Sequence, residues 1–379
     1  MNSAVVAKHV ASTPDTLTVQ WADGRASEFL SIWLSDNRPG NRDAFSGQRL
    51  VDILDLPAEP RIHSAVIQAD SVRIQWEGQA QATDFDLSWL ARHAPNEGSY
   101  RAPELAARLW LEGGTLDASQ DFAWSTASEM RDDSAARLAW LTDLLNDGIA
   151  FLRGLPCDEA ALLTTVDSIG QVLETNYGRV FDVRSVPQPE NLAYSDLGLG
   201  LHTDNPYREP VPGFQALHAM VTSPEGGESL FADGFAIAEY LRATGPEAFR
   251  TLTQTAVPFS YSSKDAELYA ERPLIQLSCD GVVVAVHYNS RSIAPLRLAP
   301  PEMEHFYASY RLFASLLRNP RFHLKLRLTD GDLVVFDNRR ILHGRTAFSS
   351  AKFLRHLRGC YLTRDSVYSE TALLRRKLS

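Results

Sequence analysis

Cysteine is scarce in this chain. Cys157, Cys279 and Cys360 are the only three among 379 residues. They are widely spaced and form no Cys-x-x-Cys pair, so no disulfide framework is available and a reducing cytoplasm is the expected compartment. Long apolar runs are missing as well. No stretch approaches the roughly 20 residues that a membrane-spanning helix requires. The N-terminus, "MNSAVVAKHVASTPDTLTVQW", lacks the apolar segment and cleavage site of a secretory signal. Positive charge is not in excess: 37 Lys and Arg against 47 Asp and Glu leave a net charge of −10. That balance gives no reason to expect nucleic acid, although a small anion could still meet a locally basic pocket. No glycine-rich phosphate loop and no low-complexity segment occurs.

What is present is a globular chain. Hydrophobic residues make up 44% and charged residues 22%, enough apolar surface for a sizeable core. The length suits one large domain and a small one. A weak duplication marks the small one. "LTVQWADGRASEFLSIWL" (17–34) echoes "VRIQWEGQAQATDFDLSWL" (72–90). Each half reads as a strand ending at Trp21 or Trp76, a turn at Asp23-Gly24 or Glu77-Gly78, then a strand closing on Phe-x-x-x-Trp-Leu. This predicts a β-rich N-terminal domain over 1–93, a linker at "RHAPNEGSYRAP" (92–103) and a second domain over 104–379.

The second domain opens on helices. "DSAARLAWLTDLLNDG" (133–148) carries Leu138, Leu141, Leu144 and Leu145 on one side and Gly148 as a stop. The segment 157–178 is expected to be another helix, ending at Gly178. Beyond it strands dominate, with helices near 234–255 and 301–318 and a short basic helix at the end. Many strands in one segment favour a mainly β sandwich or barrel with flanking helices over a doubly wound sheet.

Within that segment, "LHTDNPYREPVPGF" (201–214) holds His202 and Asp204 two residues apart. In a strand such residues share a face. A partner histidine, His343, stands 141 residues after His202, where "GDLVVFDNRRILHGR" runs from an apolar strand into a polar segment. Two His and one carboxylate on one face of an ion leave the other positions open, as a non-haem Fe(II) oxygenase requires. An isolated His-x-Asp is more often solvated or locally hydrogen-bonded; the downstream histidine, and Arg355 twelve residues after it, shift the balance. A buried arginine can hold a dicarboxylate by two parallel bonds. The bland reading of Arg355 is a surface strand arginine, as Arg358 beside it would be.

Taken together, "HTD" at 202–204, "FDNRRILHGR" at 336–345, "RHLRGCY" at 355–361 and the N-terminal "WADGRASEFLSIWLSDN" resemble the Fe(II)/2-oxoglutarate dioxygenases of the γ-butyrobetaine and trimethyllysine hydroxylase group. The resemblance covers nearly the whole chain. It implies a distorted double-stranded β-helix, or jelly roll, behind a small N-terminal β domain. It implies Fe(II) on His202, Asp204 and His343, with Arg355 on the distal carboxylate of 2-oxoglutarate. O2 is the other cosubstrate and ascorbate a stimulant. Oxidative decarboxylation to succinate and CO2 is then coupled to hydroxylation of an unactivated C–H. A homodimer is the family's expected assembly.

The same resemblance maps a substrate pocket. Tyr177, Phe181, Tyr194 and Tyr361 match an aromatic cage for a quaternary ammonium, whose charge is attracted by ring faces. For any single one of them a core role is the better guess. Phe181 departs from the family's Trp. Asn191 and Asn289 match positions near the anionic head group. Asn205 departs from the Tyr of γ-butyrobetaine hydroxylases, and with Arg208 and Arg291 nearby it suits a larger, more charged group such as a phosphonate. The leading expectation is therefore hydroxylation of 2-(trimethylammonio)ethylphosphonate at the carbon next to phosphorus. γ-Butyrobetaine hydroxylation to L-carnitine comes second. Trimethyllysine lacks an evident carboxylate partner for its α-amino group. From another class, a non-catalytic quaternary-amine-binding protein on the same fold would need no iron triad. The cysteine cluster that often follows this family's "WLRDN" is replaced by "WLSDNRPGNRDAF", so no zinc is expected in the N-terminal domain. His218, His287, His323 and His356 are not expected to be ligands, and His218 and His287 are expected to be hydrogen-bonded core histidines.

Overall fold

The computed structural model describes residues 6–94, 107–110, 116–184, 198–348 and 355–378. The chain divides into two compact units, Met1–Ala102 and Pro103–Ser379. In the first unit the duplication is visible as two three-stranded sheets. One contains β1 (Ala7–Ser12), β2 (Thr16–Trp21) and β3 (Ala26–Leu30), followed by α1 (Ser31–Asp36). The other contains β4 (Ile62–Gln68), β5 (Ser71–Trp76) and β6 (Thr83–Asp86), followed by α2 (Leu87–Arg92). The expected hairpins are β2–β3 and β5–β6, with turn glycines Gly24 and Gly78 at φ +91° and +69°. Each gains a further strand that the duplication did not reveal.

The Phe-x-x-x-Trp-Leu tails need correction. Each Phe does lie in the strand, Phe29 in β3 and Phe85 in β6, but the Trp and Leu that follow fall in a short helix. The rings of Phe29, in β3, and Trp33, in α1, stack at 5.5 Å across the strand-to-helix junction. The Asp86 carboxylate caps α2 by accepting the Trp89 N–H.

The second unit begins with α3 (Ala118–Asp121), β7 (Trp124–Thr126), α4 (Ala127–Asp132), α5 (Ser134–Asp147) and β8 (Ile149–Arg153). α5 stops at Gly148, which takes the left-handed conformation at φ +79°. The predicted helix over 157–178 is mostly absent. Only α6 (Ala161–Val166) forms, followed by β9 (Val172–Leu173). Asp158 accepts the N–H groups of Ala160 and Ala161, which delays the start. Gly170 ends the turn. A Cβ there would lie 2.7 Å from Ser366 Oγ, so this passage under the C-terminal helix admits only glycine.

The remaining elements are β10 (Phe181–Arg184), β11 (Leu199–His202), β12 (Phe214–Val221), β13 (Ser229–Asp233), α7 (Gly234–Thr244), α8 (Pro246–Gln254), β14 (Val257–Ser262), β15 (Glu267–Arg272), β16 (Ile275–Leu277) and β17 (Val283–Val286). They continue with α9 (Pro300–Leu317), β18 (His323–Leu326), β19 (Leu333–Asp337), β20 (Ile341–Arg345), β21 (His356–Leu362) and α10 (Arg364–Leu378). The helix expected over 234–255 is split at Gly245 into α7 and α8.

Two sheets face each other. The major sheet runs β10-β21-β12-β19-β8-β7, with β9 beside β21; the minor sheet runs β11-β20-β13-β18. Major-sheet strands alternate between two buried faces. Phe214, Ala216, Val335 and Cys360 face α5, α6 and α10, whereas Leu217, Phe336 and Leu357 face the minor sheet. A third cluster, built from α7, α8, α9 and the hairpins β14–β15 and β16–β17, covers the back of the minor sheet. This is a double-stranded β-helix with flanking helices.

Candidate active site

The space between the two sheets is a cavity. Phe181, Gln215, Leu217 and Tyr361 line it from the major sheet, and His202, Ser229, Phe231, His343 and Arg345 from the minor. Strand pairing brings the two histidines together, because β11 and β20 are antiparallel with His202 directly opposite His343. Their ring centroids are 4.3 Å apart. Asp204 joins them from just beyond the end of β11, so the shared-face argument from strand alternation does not account for its position. His202 Nε2 lies 3.2 Å from Asp204 Oδ1 and His343 Nε2 3.7 Å from Asp204 Oδ2. All three donor atoms fall within 4.8 Å of one another. Cis ligands of an octahedral ion about 2.1 Å away would sit about 3 Å apart, so the spacing fits one ion.

The protonation states fit as well. The Nδ1–H of His202 donates to the Gly200 carbonyl at 2.9 Å, which leaves the Nε2 lone pair aimed at the cluster. Burial and the adjacent His202 push the His343 pKa down to about 3, keeping that imidazole neutral. Burial works against ionisation of Asp204. The polar groups around it, among them the Tyr361 hydroxyl that donates to it at 2.8 Å, outweigh burial and hold the carboxyl below its usual range. Two imidazoles and a carboxylate facing an open cavity form a donor set suited to Fe(II).

Arg355 lines the same cavity and is buried. Its Nε–H donates to the Gly227 carbonyl at 3.2 Å. Burial and the neighbouring Arg345 lower its pKa to about 10. Arg345 was not anticipated, although it lies two residues from His343 on β20 and so shares its face. Ser229, likewise unanticipated, pairs with Arg345 across β13 and β20. Arg358 points elsewhere, to Asp182 at 3.2 Å.

The cage residues divide. Phe181 and Tyr361 line the cavity with ring centroids 5.0 Å apart. Gly359 lies opposite Phe181 in the β10–β21 pair, and a Cβ at 359 would come within 2.6 Å of the ring. Tyr177 also lines the cavity, and its ring meets Tyr261 edge-on at 6.1 Å. Burial raises its pKa well above normal, so the phenol stays neutral. Asn191 and Tyr194 fall outside the described residues.

Asn205 lines the cavity at φ +54°. Its Oδ1 accepts from the Tyr207 hydroxyl at 2.6 Å, while its Nδ2 is buried without a partner among the described residues. Arg291 lines the cavity; Arg208 and Asn289 do not. Asn289 instead donates to the Thr203 carbonyl at 3.2 Å and accepts the Arg291 N–H. His287 is bonded as expected, to Gln276 at 3.1 Å. His218 is not: both its ring nitrogens are buried without partners among the described residues.

Comparison with known proteins identifies the family. The sequence profile described as "Taurine catabolism dioxygenase TauD, TfdA family" matches residues 117–361. The chain belongs to the TauD/TfdA dioxygenase family. Gamma-butyrobetaine dioxygenase of Pseudomonas sp. (strain AK-1) is 35% identical over 97% of this chain and 95% of that protein. Gamma-butyrobetaine dioxygenase of Homo sapiens is 27% identical over 96% and 95%. Trimethyllysine dioxygenase of Meyerozyma guilliermondii is 26% identical over 95% and 94%. This TauD/TfdA member is an Fe(II)- and 2-oxoglutarate-dependent dioxygenase that uses O2. None of its described helices is long and apolar enough to cross a membrane.

Proposed function

We propose that the protein hydroxylates a small trimethylammonium-bearing anion, with 2-(trimethylammonio)ethylphosphonate the leading substrate. His202, Asp204 and His343 hold Fe(II). Arg355 takes the distal carboxylate of 2-oxoglutarate, with Arg345 and Ser229 at the same end of the cavity. When bound, Fe(II) supplies the centre at which 2-oxoglutarate and O2 react, one oxygen atom entering succinate and the other the substrate C–H. The chain's own part is placement. Phe181, Tyr177 and Tyr361 present neutral rings to the ammonium, which cannot donate hydrogen bonds.

The observation that carries the phosphonate reading is Asn205. Its buried amide N–H group has no partner among the described residues and lines the cavity that Arg291 also lines. A buried donor without an acceptor is costly, and an anionic oxygen of the substrate removes that cost. A phosphonate offers three oxygens and more charge than a carboxylate. The second reading, γ-butyrobetaine, is favoured by the 35% identical gamma-butyrobetaine dioxygenase. The two share the ammonium cage and differ only at the anionic end.

The deciding assay is succinate release with Fe(II), 2-oxoglutarate and O2, run in parallel on both compounds, with the added oxygen checked by mass. Phosphonate turnover at higher kcat/KM, reversed by Asn205→Tyr, is the expected result. Preference for γ-butyrobetaine would overturn the phosphonate assignment.

A further inference from the structure

The β11–β20 ladder fixes His202 against His343 and ends there. Asp204 lies past the last rung, so no strand partner sets its backbone. A different group fills that place. Asn338 is fully buried in the turn between β19 and β20. Its side-chain Oδ1 accepts the N–H of Asp204 at 2.7 Å. Its Nδ2 donates to the carbonyl of the same residue at 3.0 Å and to the Pro212 carbonyl at 3.3 Å. Its own backbone N–H donates to the Gly213 carbonyl at 2.9 Å. In an antiparallel sheet, a hydrogen-bonded pair exchanges one N–H and one C=O in each direction. The Asn338 carboxamide reproduces both bonds on Asp204.

We propose that Asn338 is the positioning residue of the metal centre, its carboxamide acting as the missing strand partner of Asp204. The proposal rests on the triad reading of His202, Asp204 and His343. Asn338 occupies the turn that leads into β20, the strand of His343, so one side chain ties two ligands that are remote in sequence. Neighbouring Thr203 is held separately: its N–H donates to Tyr288 at 2.7 Å and its hydroxyl accepts the Tyr288 N–H at 3.0 Å. Loss of the Asn338 amide therefore releases Asp204 in particular. Aspartate at 338 would keep the acceptor for the Asp204 N–H, lose both donors and set a negative charge against two carbonyls.

The test uses the full-length protein and Co(II) as a spectroscopic probe. Affinity is measured by calorimetry and coordination by the visible Co(II) absorption. Removing a group that orients a metal ligand typically costs about 10–100-fold in affinity. Asn338→Ala is expected to weaken Co(II) binding at least about tenfold and to change its visible spectrum. Asn338→Asp should fall between it and wild type. The circular dichroism of the metal-free variants should remain that of the parent. A role confined to fold stability would lower the melting temperature and leave the spectrum and affinity alone. His343→Ala serves as the control. If it loses Co(II) while Asn338→Ala binds within twofold of wild type with the same spectrum, the positioning role is refuted. If His343→Ala also binds normally, the triad reading is what fails. Should Asn338→Ala not fold, Asn338→Asp decides on the same criteria.

Discussion

His343 contributes more than a ligand atom, because its neutrality depends on burial beside His202. His343→Ala removes one donor from a three-donor set. Succinate production should fall to background while the circular dichroism stays that of the parent; surviving activity would dismiss the triad. Arg355 is a different case, since its loss should be felt as binding. A buried charge-assisted hydrogen bond is worth about 1.5–3 kcal/mol, so Arg355→Ala should raise the KM for 2-oxoglutarate roughly 10–100-fold. At saturating cosubstrate, kcat should change much less. An unaltered KM would transfer the anchoring role to Arg345 in the same cavity. His202, His343 and Arg355, which line one cavity, stood out in the sequence because their types and order are unusual. Arg345 did not, since an arginine after a glycine carries no signal until the strand register is known. Asn338 was hidden for a similar reason, as its bonds run to a backbone that is distant in sequence.

At the scale of elements, periodic apolar residues marked α5 and most core strands correctly. Three signals misled. Helical spacing over 157–178 concealed the close packing of Gly170 on α10, a tertiary constraint that no local pattern records. Phe-x-x-x-Trp-Leu was assigned whole to a strand, although only its Phe lies in one and its Trp and Leu belong to the helix that follows. Alternation seemed to explain His202 and Asp204, yet β11 ends between them. The left-handed cap of α5 supplies a test at this scale. Gly148→Ala would put a Cβ 2.9 Å from Arg340 Cδ at φ +79°. Overpacking a buried site costs about 1–3 kcal/mol, so the urea midpoint should fall by an amount equivalent to at least about 1 kcal/mol. An unchanged midpoint would mean that the Arg340 side chain yields without cost.

For the whole molecule, acid stability should be set partly by His287. Burial, with Arg272 and Arg339 nearby, holds its pKa at about 3 in the folded chain, against about 6.5 when unfolded. Between those values the unfolded chain binds a proton that the native state does not. Stability must therefore fall as pH drops from about 6.5 towards 3, by up to about 1.4 kcal/mol per pH unit for one such group. His287→Gln removes this proton, and the melting temperature of the variant should decline less steeply over that range. Equal slopes would show that His287 does not titrate differentially.

The contact between Gly359 and Phe181 has a consequence for how this pocket can be resized. The ring occupies room that exists only because position 359 has no side chain. One added methyl at 359 would meet Phe181 and, at 2.9 Å, Leu217; both line the cavity, so its wall would have to shift. The bore of the cavity is thus governed by an alanine-or-glycine choice at a position packed against Phe181 and Leu217. Its width could be tuned there as with a set screw, without substituting His202, Asp204, His343 or Arg355.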